Sequence, residues 1–99
     1  MSGHPLNVIK EADPELFDRI QGTRDFAFRD GEISKKHKIL IALAIDIAKN
    51  SESGIKSLAL QALECGATKK EIMETVRLAH FICGGGSMYP AAQALKDVL

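Results

Sequence analysis

The sequence predicts an all-α fold of five or six helices joined by short loops, and three observations lead there. No stretch alternates apolar and polar residues with the period of two that a half-buried strand requires. Apolar residues recur instead at three- and four-residue spacings from Pro14 onward. Most of these segments open on a capping residue, and several close on glycine or a small polar break.

The elements follow in order. "DPELFDRI" at 13–20 opens with Asp13 as cap and Pro14 at the first helical position, where proline gives up only an amide that would be unpaired anyway. Leu16, Phe17 and Ile20 supply its apolar face, and the pattern runs on toward Phe28. "RDGEIS" at 29–34 reads as a turn, with Ser34 able to cap the next helix. In that helix "ILIALAIDIA" at 39–48 is apolar on nearly every side, the mark of a central helix covered by neighbours. Asn50 and Ser51 interrupt it. Ser51 or Ser53 is expected to cap a fourth helix with Ile55, Leu58, Ala59, Ala62 and Leu63 on one face. Gly66 stands just past its end, where a left-handed residue is cheapest as glycine. "TKKE" at 68–71 is a capping box, with Thr68 and Glu71 serving each other's backbone amides. Ile72, Val76, Ala79 and Phe81 with Cys83 carry this helix to "GGG" at 84–86, which ends it. A last helix is predicted from Tyr89 or Pro90 to Leu99, with Ala91, Ala94, Leu95 and Val98 inward.

Composition narrows the function classes. Ninety-nine residues make a single domain, 1–99, and 45% hydrophobic content gives it a small core that pairing with copies of itself would help. Thirteen basic and thirteen acidic residues cancel, leaving no electrostatic footprint for nucleic acid or an anionic membrane. Aromatics are only 5% and Trp is absent, against a base-stacking platform. The apolar run at 39–48 is half the roughly 20 residues of a membrane span and contains Asp46. The start "MSGHPLNVIKEADPE" lacks a leader pattern, and Cys65 and Cys83 have neither zinc nor disulfide-framework spacing. The expectation is a cytoplasmic protein with no metal and no cofactor motif.

Several residues are candidates for chemistry. His80 and Cys83 are neighbours on one helix face, so His80 could act as acid or base, or activate the thiol. The alternative is a packed histidine beside a buried small thiol. Gly84, Gly85, Gly86 and Ser87 could form a ligand-binding loop ahead of a helix, or merely break one helix before the next. Tyr89, the single tyrosine, could donate a hydrogen bond into a pocket or simply pack. Cys65 sits at a helix C-terminus, whose dipole disfavours a thiolate. Asp46 is either a carboxylate in a reactive site or a helix-end residue beside Lys49 and Asn50. His37, among lysines, reads as a solvated helix start, and His4 as part of a frayed terminus.

Three segments, "LIALA" at 40–44, "ALECGATKKEI" at 62–72 and "GGGSMYPAAQAL" at 84–95, together resemble the carboxymuconolactone decarboxylase superfamily, especially its alkylhydroperoxidase D-like branch. The resemblance is strongest over 35–99. It implies a fold built around a helical hairpin and assembled as a homo-trimer or homo-hexamer. The redox branch carries Cys-x-x-Cys-x-x-x-His at a helix start and a Glu on the central helix, a setting that favours a thiolate and moves protons. Counted back without a gap from "ALECGAT", those positions fall on Ser51, Gly54, Leu58 and Ile39. The resemblance thus implies an enzyme, of decarboxylase, lactone or related type, on a small molecule that could carry a carboxylate, without dithiol peroxidase chemistry. A non-catalytic binding or assembly module, and residual thiol chemistry through Cys83 or Cys65, are the other readings.

Overall fold

A computed structural model describes residues 5–99, so His4 lies outside the described residues. Among the described residues six α-helices follow one another: α1 (Asn7–Ala12), α2 (Pro14–Phe28), α3 (Lys35–Ala48), α4 (Glu52–Glu64), α5 (Lys69–Cys83) and α6 (Met88–Leu95). A single 3₁₀ turn, Gly85–Ser87, connects the last two, and no strand occurs among the described residues. The all-α expectation holds. The short α1 carries no buried residue and was not foreseen from the sequence.

Helix starts behave largely as their residues dictate. The Asp13 carboxylate accepts from the Leu16 amide at 3.0 Å, and Pro14 takes the first position of α2. Ser34 Oγ accepts from the His37 amide at 3.3 Å. The capping box at α5 is complete: Glu71 N donates to Thr68 Oγ1 at 3.1 Å, and Thr68 N to Glu71 Oε1 at 2.9 Å. Ser51 stands at the cap position of α4 but its side chain caps nothing, so the expected serine cap there is absent. That start is defined from the other side, by how α3 ends.

Two Schellman motifs shape the central hairpin and its exit. At the end of α3, Asn50 adopts φ 56°, Asn50 N donates to Ile47 O at 3.1 Å and Ser51 N to Asp46 O at 3.0 Å. Asn tolerates the left-handed region better than other non-glycine residues, so the chain reverses within three residues. At the end of α4 the same pattern uses Gly66 at φ 93°, with Gly66 N to Leu63 O at 3.1 Å and Ala67 N to Ala62 O at 2.9 Å.

The core lies where α3, α4, α5 and α6 meet. Ile39, Leu43 and Ile47 from α3 pack with Ile55, Ala59 and Ala62 from α4, Ile72 and Val76 from α5, and Ala91 and Leu95 from α6. These are spaced by three, four or seven, one face per helix. The α3 helix is therefore buried on one side only. Ile41 and Ile45 remain 50% and 54% exposed, correcting the expectation of a helix covered all round. Helices α1 and α2 bury no residue fully and form an arm beside the hairpin. The radius of gyration, 14.4 Å against about 13 Å for a compact chain of this length, reflects that arm. The last helix is shorter than predicted: it begins at Met88 and ends at Leu95, and 96–98 continue as a turn. No helix among the described residues is long and apolar enough to cross a membrane.

Candidate functional site

The residues that the sequence singled out near the triple glycine do not gather around a cavity. His80 and Cys83 are both exposed, and Tyr89 is 86% exposed. None of the three lines a concavity among the main ones of the surface. Gly84, Gly85 and Gly86 are open, with nothing within 4 Å of where a side chain would start. Ser87 is buried, and its hydroxyl donates to Gly84 O at 3.3 Å, which tightens the turn. Cys65 is a free thiol at the surface, as is Cys83.

The four positions implied by the resemblance divide. Ile39 is fully buried in the core, and Ser51 is half-buried at the α4 start. Gly54 and Leu58, both half-buried, line a groove of about 390 Å³ between α2, α3 and α4. Arg24 and Phe28 contribute from α2, Ala42, Ile45 and Asp46 from α3, and Ser57 and Gln61 from α4. That volume suits a small ligand. A larger concavity of about 600 Å³ is lined by α4 alone, one open helix face rather than a cleft.

Polar groups in the groove are arranged, not scattered. Arg24 Nη2 donates to Gln61 Oε1 at 2.6 Å, and Gln61 Nε2 donates to Ser57 Oγ at 3.0 Å. The Arg24 guanidinium also lies over the Phe28 ring, 5.1 Å from its centroid. These contacts fix the guanidinium between α2 and α4 while using one of its five donors on Gln61. Ser57 accepts from Gln61 and keeps its own O–H. Asp46 is the acidic member. It is half-buried, and among the described residues its carboxylate makes no hydrogen bond and no ion pair, Lys49 and Asn50 included. It lies against Gly54 instead. A side chain started at Gly54 would overlap Asp46 Oδ2 and come within 3.0 Å of Asp46 Cγ and of Ser51 Oγ.

The sequence points to Asp46 and Gly54 but not to Arg24, Ser57 or Gln61. Ser57 and Gln61 form an i, i+4 pair on α4, a signal that was legible. Arg24 had none, because its partner is far along the chain.

Comparison with known proteins agrees with the fold. Residues 14–97 match the model of the carboxymuconolactone decarboxylase family. The crystal structure of apo-lpg0406, a carboxymuconolactone decarboxylase family protein from Legionella pneumophila, superposes with a TM-score of 0.86 at 33% identity, covering 92% of this chain and 81% of that one. The uncharacterized protein MJ0742 of Methanocaldococcus jannaschii is 30% identical over 97% of this chain and 93% of its own length. The uncharacterized protein H16_B0147 of Cupriavidus necator is 30% identical over 91% of this chain and 80% of its own.

Proposed function

Given that this chain belongs to the carboxymuconolactone decarboxylase family, we propose that it is an enzyme acting on a small carboxylated molecule in the α2–α3–α4 groove. One observation carries the reading: a held guanidinium, Arg24, and an unpaired carboxylate, Asp46, line the same groove, whose remaining walls include Phe28, Ile45 and Leu58. Arg24 would bind the substrate carboxylate through its remaining donors, and Ser57 would add a hydroxyl. Leu58, Ile45 and Phe28 would hold the carbon skeleton. Dithiol chemistry is not part of this reading, since positions 51 and 54 hold Ser and Gly.

The test is a titration with 2-oxobutanoate, benzoate and succinate followed by amide NMR. The expected result is perturbation of signals from Arg24, Asp46 and Gly54, with at least about tenfold weaker binding in Arg24→Gln, the loss of one charge-assisted contact. Perturbations confined to 80–89 would move the site to the triple glycine. Binding without turnover of any bound acid would favour the non-catalytic module.

Self-association belongs to the same proposal. Phe81 and Ile82 are 82% and 76% exposed near the end of α5, Leu78 is exposed one turn earlier on the same helix, and Tyr89 is exposed at the start of α6. Apolar exposure of this kind supports burial against further copies, as a trimer or hexamer. Light scattering should report an oligomer that Phe81→Glu dissociates; a monomeric wild type would refute this part.

A further inference from the structure

Resting on the groove as a carboxylate site, we propose that Asp46 is a single-carboxylate proton shuttle, and that the absent side chain at Gly54 leaves room for its working position. The substrates are small 2-oxo acids, saturated or with a double bond one carbon beyond the acidic C–H.

Three features lead to this. Asp46 is half-buried, and among the described residues its carboxylate accepts no protein donor and meets no cation, so its oxygens stay open to a molecule in the groove. Gly54 is the one described glycine at which an added side chain would collide, and what it would meet is the Asp46 carboxylate and Ser51 Oγ. The backbone there is helical, so no turn or left-handed conformation requires glycine at 54. Its smallness serves the carboxylate. Finally, the donors in the groove, Arg24 and the Ser57 hydroxyl, face the same space and can stabilise an oxyanion.

The step balances without a co-reactant. Asp46 Oδ2 takes the proton from the carbon next to the substrate carbonyl. The C–H electron pair forms the C=C bond of an enolate as the carbonyl π pair moves onto oxygen, where Arg24 and Ser57 donate. The proton then returns from Asp46 to the same carbon or, in an unsaturated acid, to the far end of the conjugated system. The net result is exchange or isomerisation, with nothing oxidised or reduced.

The experiment is deuterium wash-in from D2O, followed by proton NMR, at C3 of 2-oxobutanoate, using the full chain. Wild type should exchange that position. Asp46→Asn, nearly isosteric, should lose about 100-fold or more in rate. Gly54→Ala should lower kcat about tenfold or more by displacing the carboxylate, while leaving KM governed by Arg24. A merely structural role for Gly54 would instead lower kcat and binding together, in step with lost folded protein. Exchange that survives Asp46→Asn overturns the proposal. So does binding at the groove with no exchange by wild type, which leaves the carboxylate site standing. Absence of any binding at the groove overturns both. Should Asp46→Asn fail to fold, an unchanged kcat in Gly54→Ala overturns the proposal and a selective fall in kcat supports it.

Discussion

Two helix junctions of this chain are rich in small residues, and they differ in everything except composition. At the α3–α4 junction, Asn50 to Gly54, the glycine is hemmed in by a carboxylate and a serine hydroxyl, and the helices beside it frame a groove. At the α5–α6 junction, Gly84 to Ser87, three glycines stand in open space and the neighbouring His80, Cys83 and Tyr89 point outward into solvent. Three glycines in a row attract attention in a sequence; one crowded glycine does not. What distinguishes a candidate site is what a glycine's missing side chain makes room for.

The largest effect expected on this contrast comes from beneath the first junction. Leu43 is fully buried one turn before Asp46, and Leu43→Ala should cost about 2–5 kcal/mol through lost burial and the cavity left behind. Urea unfolding checks it, and a loss below about 1 kcal/mol would mean the α3–α4 hairpin is not the rigid base of the groove. Next is Gly84→Ala. Gly84 has φ 81° and ψ −176°, a region essentially restricted to glycine, so about 1–3 kcal/mol should be lost despite the open surroundings. The same denaturation series measures it. At the second junction, then, Gly84 is the glycine whose backbone conformation demands it.

How much of this was legible in the sequence depends on where each signal's partner sits. Caps and breaks were readable because their partners are three to five residues away: Asp13 with Leu16, Thr68 with Glu71, Gly66 with Leu63. The extent of burial was less so. Ile41 and Ile45 sit in a run that looks covered on every side, yet one chain has too few helices to cover it. The groove was least legible. Arg24 and Gln61 meet only because α2 folds back along the hairpin, and no local spacing announces a contact between residues so distant in sequence. Gly54 reads as a helix-start residue until Asp46 is seen against it.

A third junction, between α4 and α5, shows the ordinary case and gives a smaller effect. Thr68→Ala should cost about 1 kcal/mol through the lost cap. Its partner adds a pH signature. The Glu71 carboxyl is held below its ordinary 4.5, first by the Thr68 amide and then by Lys36, whose Nζ donates to Oε2 at 3.0 Å. A lowered folded value means the stabilisation is fully present above the unfolded value and is lost as pH falls through the folded one. The stability gap between wild type and Glu71→Gln should therefore be constant near neutrality and close progressively below pH 4.5. A gap that widens in acid would reverse the sign and refute the assignment.

The smallest expected effect is the sharpest test of the comparison. Gly85 lies in the 3₁₀ turn without a positive φ, and a side chain there meets nothing within 4 Å. Gly85→Ala should leave stability unchanged or raise it by at most about 0.4–1 kcal/mol, because it restricts the unfolded chain without straining the folded one. Gly54→Ala should also change stability little, since the carboxylate it meets is the free end of a side chain and can swing aside. Stability therefore cannot tell the two junctions apart, but carboxylate binding and exchange can. Of the two junctions, the one at Gly54 sets a carboxylate in a groove with a held guanidinium, so Gly54→Ala should lower exchange while Gly85→Ala leaves both binding and exchange untouched. A titration in which Gly85→Ala weakens binding, with exchange in Gly54→Ala at the wild-type rate, would return the site to the α5–α6 junction and make Asp46 an incidental surface carboxylate.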